Sequence, residues 1–184
     1  MSELTPAEMS APYPADWERT ATTRDGVLFR IRPIRSDDEH REQQFIRRLS
    51  PQSRYRRMMN AVKELPPALL HQLVHVDYLH DMAFVALTGT PPNEEIIGVA
   101  RYGQDRGGPD SEFAVVVADD WQTRGVGATL MGLLCEYAHS HGVHRLHGEI
   151  LADNAKMIDL AHWLGMQTNR CPGDPHIVQA SCKV

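Results

Sequence analysis

Two features of this chain could do chemistry: the run Gln122-Thr-Arg-Gly-Val-Gly127 and the carboxylate of Glu112 upstream of it. The two glycines permit a tight turn and a close approach of a ligand to the backbone. If a helix begins here, its first amides have no intrahelical acceptor, and the positive end of the helix dipole reinforces them. Arg124, Gly125, Val126, Gly127 and Ala128 would then present amides to an anion such as a diphosphate. The dinucleotide fingerprint requires a third glycine, and a P-loop ends in Gly-Lys followed by Ser or Thr. Here only two glycines fit, and Ala128 stands where the lysine would be. Glu112 is a candidate general base. A glutamate's ordinary pKa, about 4.3, is low for that task near neutral pH, so burial or a bridging water is required. Its structural alternative is a cross-strand pair at a strand end. Glu149 is a second carboxylate, read more naturally as structural.

These groups need elements to hold them. Phe113 to Ala118 is an apolar, valine-rich run without a breaker, which reads as a strand. From Arg124, Val126, Leu130, Leu133, Leu134 and Tyr137 recur at helical spacing, and His141-Gly142 stops that helix after Ser140. Asp153-Asn154 starts a last helix with Met157, Ile158, Ala161 and Leu164 facing inward, closed by Gly165.

The remaining elements follow in order. Residues 1–24 carry three prolines and little periodicity, so they read as an N-terminal tail with Tyr13 and Trp17 against the body; a domain of residues 25–184 follows. Val27, Phe29 and Ile31 alternate with polar or exposed positions up to Pro33, giving a first strand. Ser36 with Glu39 fits a capping box for a helix to Leu49, Ser50-Pro51 opens a second helix, and Leu65-Pro-Pro67 a third. Strands are expected at 82–88, 95–102, 112–118, 144–151, 166–169 and 177–181. The turn before the third of these holds Asp105-Arg-Gly-Gly-Pro-Asp110. The expected class is α/β, with a central mixed sheet of about seven strands, mostly antiparallel, and helices on both faces.

Composition narrows the function. The 184 residues are 42% hydrophobic and 23% charged, as in an ordinary globular domain, and the net charge of −5 argues against a nucleic-acid partner. No apolar run reaches the length of a membrane span, and the N-terminus lacks the basic and apolar regions of a secretory signal. Cys135, Cys171 and Cys182 are scattered and odd in number, which suits reduced thiols and a cytoplasmic location. A metal at His139, His141, His144 and His147 is disfavoured: the first two flank a helix end, and the last two point to opposite sides of a strand. Arg47, Arg48, Arg54, Arg56 and Arg57 make a basic region, read as a solvated helical face or as a lip that meets a phosphate or an acidic substrate.

The spacing Gln-x-x-Gly-x-Gly, set between strand and helix, resembles the pyrophosphate-binding motif of the GNAT family of N-acetyltransferases. Asn154 with Gly165 resembles the family's Asn-x-x-Ala-x-x-Leu-Tyr-x-x-x-Gly-Phe helix, although Ala161 and Met166 replace its tyrosine and phenylalanine. Arg32-Pro-Ile-Arg35, Arg47-Arg-Leu-Ser50, the stretch from Asp77 to Ala86, Gly98-Val-Ala-Arg-Tyr102 and the run Glu112 to Gln122 are similar to the acetyltransferase domain of bacterial protein-lysine acetyltransferases. The resemblance implies acetyl-CoA as acetyl donor, no metal, and a primary amine as acceptor, protein lysine ahead of a small molecule. It implies Glu112 as catalytic base. It implies cofactor contacts from Gln122, from the cradle amides, from Asn154, and from backbone groups of Val115 and Val117 if that strand splays from its neighbour. One amide of Val115 or Val117 would serve the acetyl oxygen. It also implies that a fused regulatory module, frequent in those proteins, is missing here. The absent tyrosine keeps a non-catalytic acetyl-CoA sensor as an alternative. Oligomeric state is open.

Overall fold

The computed structural model describes residues 11–105 and 108–184. Arg106 and Gly107, in the middle of an expected turn, lie outside the described residues, as do residues 1–10. The elements run β1 (Arg19–Thr22), β2 (Leu28–Pro33), α1 (Glu39–Arg48), α2 (Pro51–Met58), α3 (Pro67–Val74), β3 (Asp81–Thr88), β4 (Glu95–Gln104), β5 (Asp110–Val117), α4 (Val126–Ser140), β6 (Arg145–Leu151), α5 (Ala155–Trp163), β7 (Gln167–Cys171) and β8 (Asp174–Lys183). The strands form one sheet in the order β1-β2-β3-β4-β5-β6-β8-β7. Every neighbouring pair is antiparallel except β5–β6.

Alternation along β3 divides the core. Met82, Phe84 and Ala86 pack with Leu130, Leu134 and Tyr137 of α4, while Ala83, Val85 and Leu87 pack with Phe45 and Ile46 of α1 and Val74 after α3's Leu70. Helices therefore cover both faces, and α4 lies close: a Cβ on Gly98 would meet Leu130 Cδ1 at 3.0 Å. Among the described residues, no helix is long and apolar enough to cross a membrane. All three cysteines are free thiols.

Two expectations need correction. The stretch read as a tail is built into the body from residue 11 on. Arg19–Thr22 pairs with β2 as an eighth, edge strand, and Trp17 sits edge-on to Tyr137 with ring centroids 4.9 Å apart. Four mostly exposed residues bury too little apolar surface to leave a periodic signal. The capping box at Ser36 does not form. Instead the Asp38 carboxylate accepts from the Arg35 amide at 2.9 Å and takes both guanidinium nitrogens of Arg32, at 2.7 and 2.8 Å. α2 opens at Pro51 as expected, and Ser50 caps it, accepting from the Ser53 amide at 3.1 Å.

Candidate active site

The parallel pairing of β5 with β6 is short. It covers Asp110↔Arg145, Ser111↔Leu146 and Glu112↔His147, and then β5 stays with β4 while β6 stays with β8. The separation begins where Phe113 lies against Gly148, whose Cβ would meet the Phe113 ring and carbonyl at 3.0 Å. The Ala118 amide donates to the Ile97 carbonyl at 2.9 Å. In an antiparallel ladder hydrogen-bonded positions alternate, so Val116 and Ala114 bond β4 while Val115 and Val117 turn their N–H and C=O toward the gap left by β6. The splay that the sequence could only make conditional is present.

At the far end of β5 the chain turns into α4. Gly125 takes φ +97°, in the left-handed region where glycine is favoured, and this delays the helix to Val126. The first intrahelical bond runs from the Thr129 amide to the Gly125 carbonyl, at 3.0 Å. The amides of Val126, Gly127 and Ala128 precede it and so have no intrahelical acceptor. The constraint at Gly125 is its backbone angle rather than crowding, since an added Cβ would meet only Arg24 Cγ, at 3.7 Å.

Splay and cradle open into one groove of about 680 Å³. Glu112, Val115, Val117, Gln122, Gly125, Gly127, Ala128 and Asn154 all line it, as does Glu149. Arg124 and Val126 do not reach it with their side chains. Arg124 pairs with Asp25 at 2.6 Å and lies over the Trp121 ring, and Val126 is fully buried in the core. Their backbones remain part of the turn. The Arg124 guanidinium, bonded to Asp25, holds that carboxyl down at about 2.

Gln122 acts as a clamp. Its Nε2 donates to the Val117 carbonyl and to Ser53 Oγ, both at 3.2 Å, and its Oε1 accepts from Lys156 Nζ at 2.9 Å. It thus fixes the end of β5 to α2 and α5. Asn154 caps α5, accepting from the Met157 amide at 3.4 Å. Glu112 is exposed at the start of the splay. The burial that would raise its carboxyl is absent.

α2 supplies one wall of this groove, at the basic region that the sequence leaves open between a solvated face and a lip. The helix crosses the groove, tied at one end by Ser50 Oγ and Ser53 Oγ to Asp119 Oδ1, at 2.8 and 2.7 Å, and at the other by Arg56 to the Asp153 carbonyl, at 3.2 Å. Arg56, Arg57, Met58 and Met59 line it from above, and Arg24, Lys156 and Trp163 complete its rim. The basic region therefore divides: Arg47 pairs with Glu64 and Arg48 with Glu95, on the solvated side, while Arg56 and Arg57 form the lip. Two of the four histidines weighed as a metal set have separate partners. His141 stacks on Tyr137 and His147 bonds Asp105 at 2.7 Å.

The chain's likeness to known proteins agrees with this geometry. Residues 43–166 match the Acetyltransferase (GNAT) family. Acetyltransferase PA5475 of Pseudomonas aeruginosa is 41% identical over 150 residues, 82% of this chain and 81% of that protein. Acetyltransferase Pat of Mycolicibacterium smegmatis is 33% identical over 143 residues, 77% of this chain but only 42% of that longer protein. Among solved structures, the GNAT domain of S. lividans PAT superposes with a TM-score of 0.86 at 29% identity, covering 94% of this chain and 100% of that one. A splayed parallel pair, a cradle of free amides and a family match over two thirds of its length lead to one conclusion: the chain belongs to the GNAT acetyltransferase family and is an acyltransferase with acetyl-CoA as its donor.

Proposed function

We propose that this enzyme moves the acetyl group to a primary amine, protein lysine ahead of a small amine, by direct attack with Glu112 as general base through a bridging water. The observation that carries the reading is the convergence of three parts in one groove: cradle amides at one end, the amides of Val115 and Val117 facing the gap in the middle, and the Glu112 carboxylate at the other end. The cradle, with Gln122 clamping the turn that leads into it, would hold the diphosphate end of the donor. The Val115 or Val117 amide would donate to the acetyl oxygen as charge develops on it.

A lysine amine has an ordinary pKa of about 10.4, so about one in 2,500 is neutral at pH 7, a cost of about 4.6 kcal/mol. Glu112, exposed and adjacent to the thioester's path, takes the proton through water and lowers that cost. The position of the family's tyrosine offers no acid here, since Ala161 has no ionisable side chain. A thiol has an ordinary pKa near about 8.5, so the leaving thiolate takes its proton from solvent with little penalty. The preference for lysine rests on the resemblance of the stretches named above to bacterial protein-lysine acetyltransferases.

Glu112→Gln tests the reading. Turnover with an amine acceptor should fall by about 10²–10⁴-fold, while calorimetric affinity for acetyl-CoA stays within about twofold. Undiminished turnover removes Glu112 from the chemistry, and failure of the wild-type protein to release thiol with any amine favours a sensor.

A further inference from the structure

Arg57 closes the last turn of α2 and faces into the groove. Its neighbours in sequence are engaged with protein: Arg54 donates to the carbonyls of Arg47 and Leu49, and Arg56 bonds Asp153. Among the described residues, Arg57 has neither an ion-pair nor a hydrogen-bond partner. The charges around it are Arg101, Glu42 and Glu112. Glu42 is 3% exposed. Its Oε1 stands 3.4 Å from Arg101, and its Oε2 has no partner. Arg101 takes the one contact that Glu42 makes, and Arg57 is left in the groove wall with no carboxylate bonded to it. Burial, with Arg101 facing it, pulls Arg57 down to about 10 against the opposing pull of Glu42 and Glu112.

Arg57 is half-buried, and a guanidinium with no bonded partner in a groove wall is open to an anionic group of a ligand. A guanidinium is a planar fork that fits a carboxylate with two parallel bonds. The donor's diphosphate belongs to the cradle of amides. The cradle follows the C-terminal end of β5, whereas Arg101 sits opposite Ala114 and Glu112 opposite Gly103, toward the strand's beginning. Arg57 therefore belongs to the acceptor's end of the groove.

We propose that Arg57 binds a carboxylate carried by the acceptor beside its reactive amine, so that the enzyme selects acceptors in which the two groups are close. Glu112 receives the amine and Arg57 the carboxylate. The carboxylate has two sources: the α-carboxyl of a free amino acid, or an acidic side chain adjoining an acceptor lysine. The inference rests on the acetyltransferase reading above.

The test is an acceptor panel under saturating acetyl-CoA, with thiol release as readout. It compares peptides with Glu or Gln beside one lysine, and free amino acids against their amides. Wild-type kcat/KM should favour the carboxylate member by about tenfold in at least one pair, and the pair that responds identifies the source. Arg57→Gln should reduce that ratio to about one and leave the acetyl-CoA Kd unchanged, while Arg57→Lys keeps part of it. A flat wild-type panel overturns the proposal without any variant, as does a ratio that survives in folded Arg57→Gln. A weaker acetyl-CoA Kd in Arg57→Gln assigns the residue to the donor and also overturns it. Turnover of no acceptor at all overturns the transfer reading, and this proposal with it; a flat but active panel overturns this proposal alone.

Discussion

Two buried carboxylates one helical turn apart have opposite fates. Asp38, just before α1, receives Arg32 in a two-point bond, the Arg35 amide, and Arg41 at 3.2 Å. Glu42, in the first turn of α1, has one long contact to Arg101 and one oxygen with no partner. Burial pushes both carboxyls up. At Asp38 the bonds and charge of Arg32 outweigh burial and hold it below the ordinary value; at Glu42 the charges of Arg101 and Arg57 do not, and it stays raised. A complete network rigidifies a fold and leaves nothing over for a ligand, whereas an incomplete one is poorly stabilising and keeps charge available. The first pair fastens β2 to α1; the second underlies the groove.

The sharpest way to break this comparison is to remove one partner from each pair. Asp38→Asn should cost about 3–5 kcal/mol in urea unfolding, because it leaves Arg32 buried without a counter-charge. The depressed Asp38 value means that its contribution is fully present above the unfolded value of 3.8 and is lost as pH falls through the folded one. The gap between wild type and Asp38→Asn should therefore close on acidification. Glu42→Gln should cost less, under about 1.5 kcal/mol. Its sign is opposite: a raised carboxyl favours the protonated folded state, so Glu42→Gln should gain on wild type as pH rises from below 4.5 through the raised value. Equal costs and parallel pH profiles would dissolve the distinction.

The same contrast explains what could be read in advance. The strand, turn and helix from Glu112 to Ser140 were legible because valine runs, glycine spacing and helical periodicity are local. The chain's Gln-x-x-Gly-x-Gly spacing pointed to the cradle, but not to the clamp Gln122 makes with Ser53 and Lys156, which come from distant sequence. Asp38 was overlooked because Ser36 and Glu39 match a capping pattern, while the partner that decides the matter, Arg32, lies on another element. Arg57 was indistinguishable from four other arginines in one stretch. Only the fold shows which of them finds a carboxylate and which faces the groove. The edge strand Arg19–Thr22 left no pattern, and the splay of β5 from β6 is a long-range property with no local signature.

The central claim is that the donor's diphosphate rests on the amides where β5 gives way to α4. A crystal structure with acetyl-CoA tests it directly. The diphosphate should lie within hydrogen-bond distance of the Gly125 to Ala128 amides, with the pantetheine chain along Val115 and Val117. A bound donor whose phosphates sit elsewhere, with those amides turned to solvent or to protein, would contradict it.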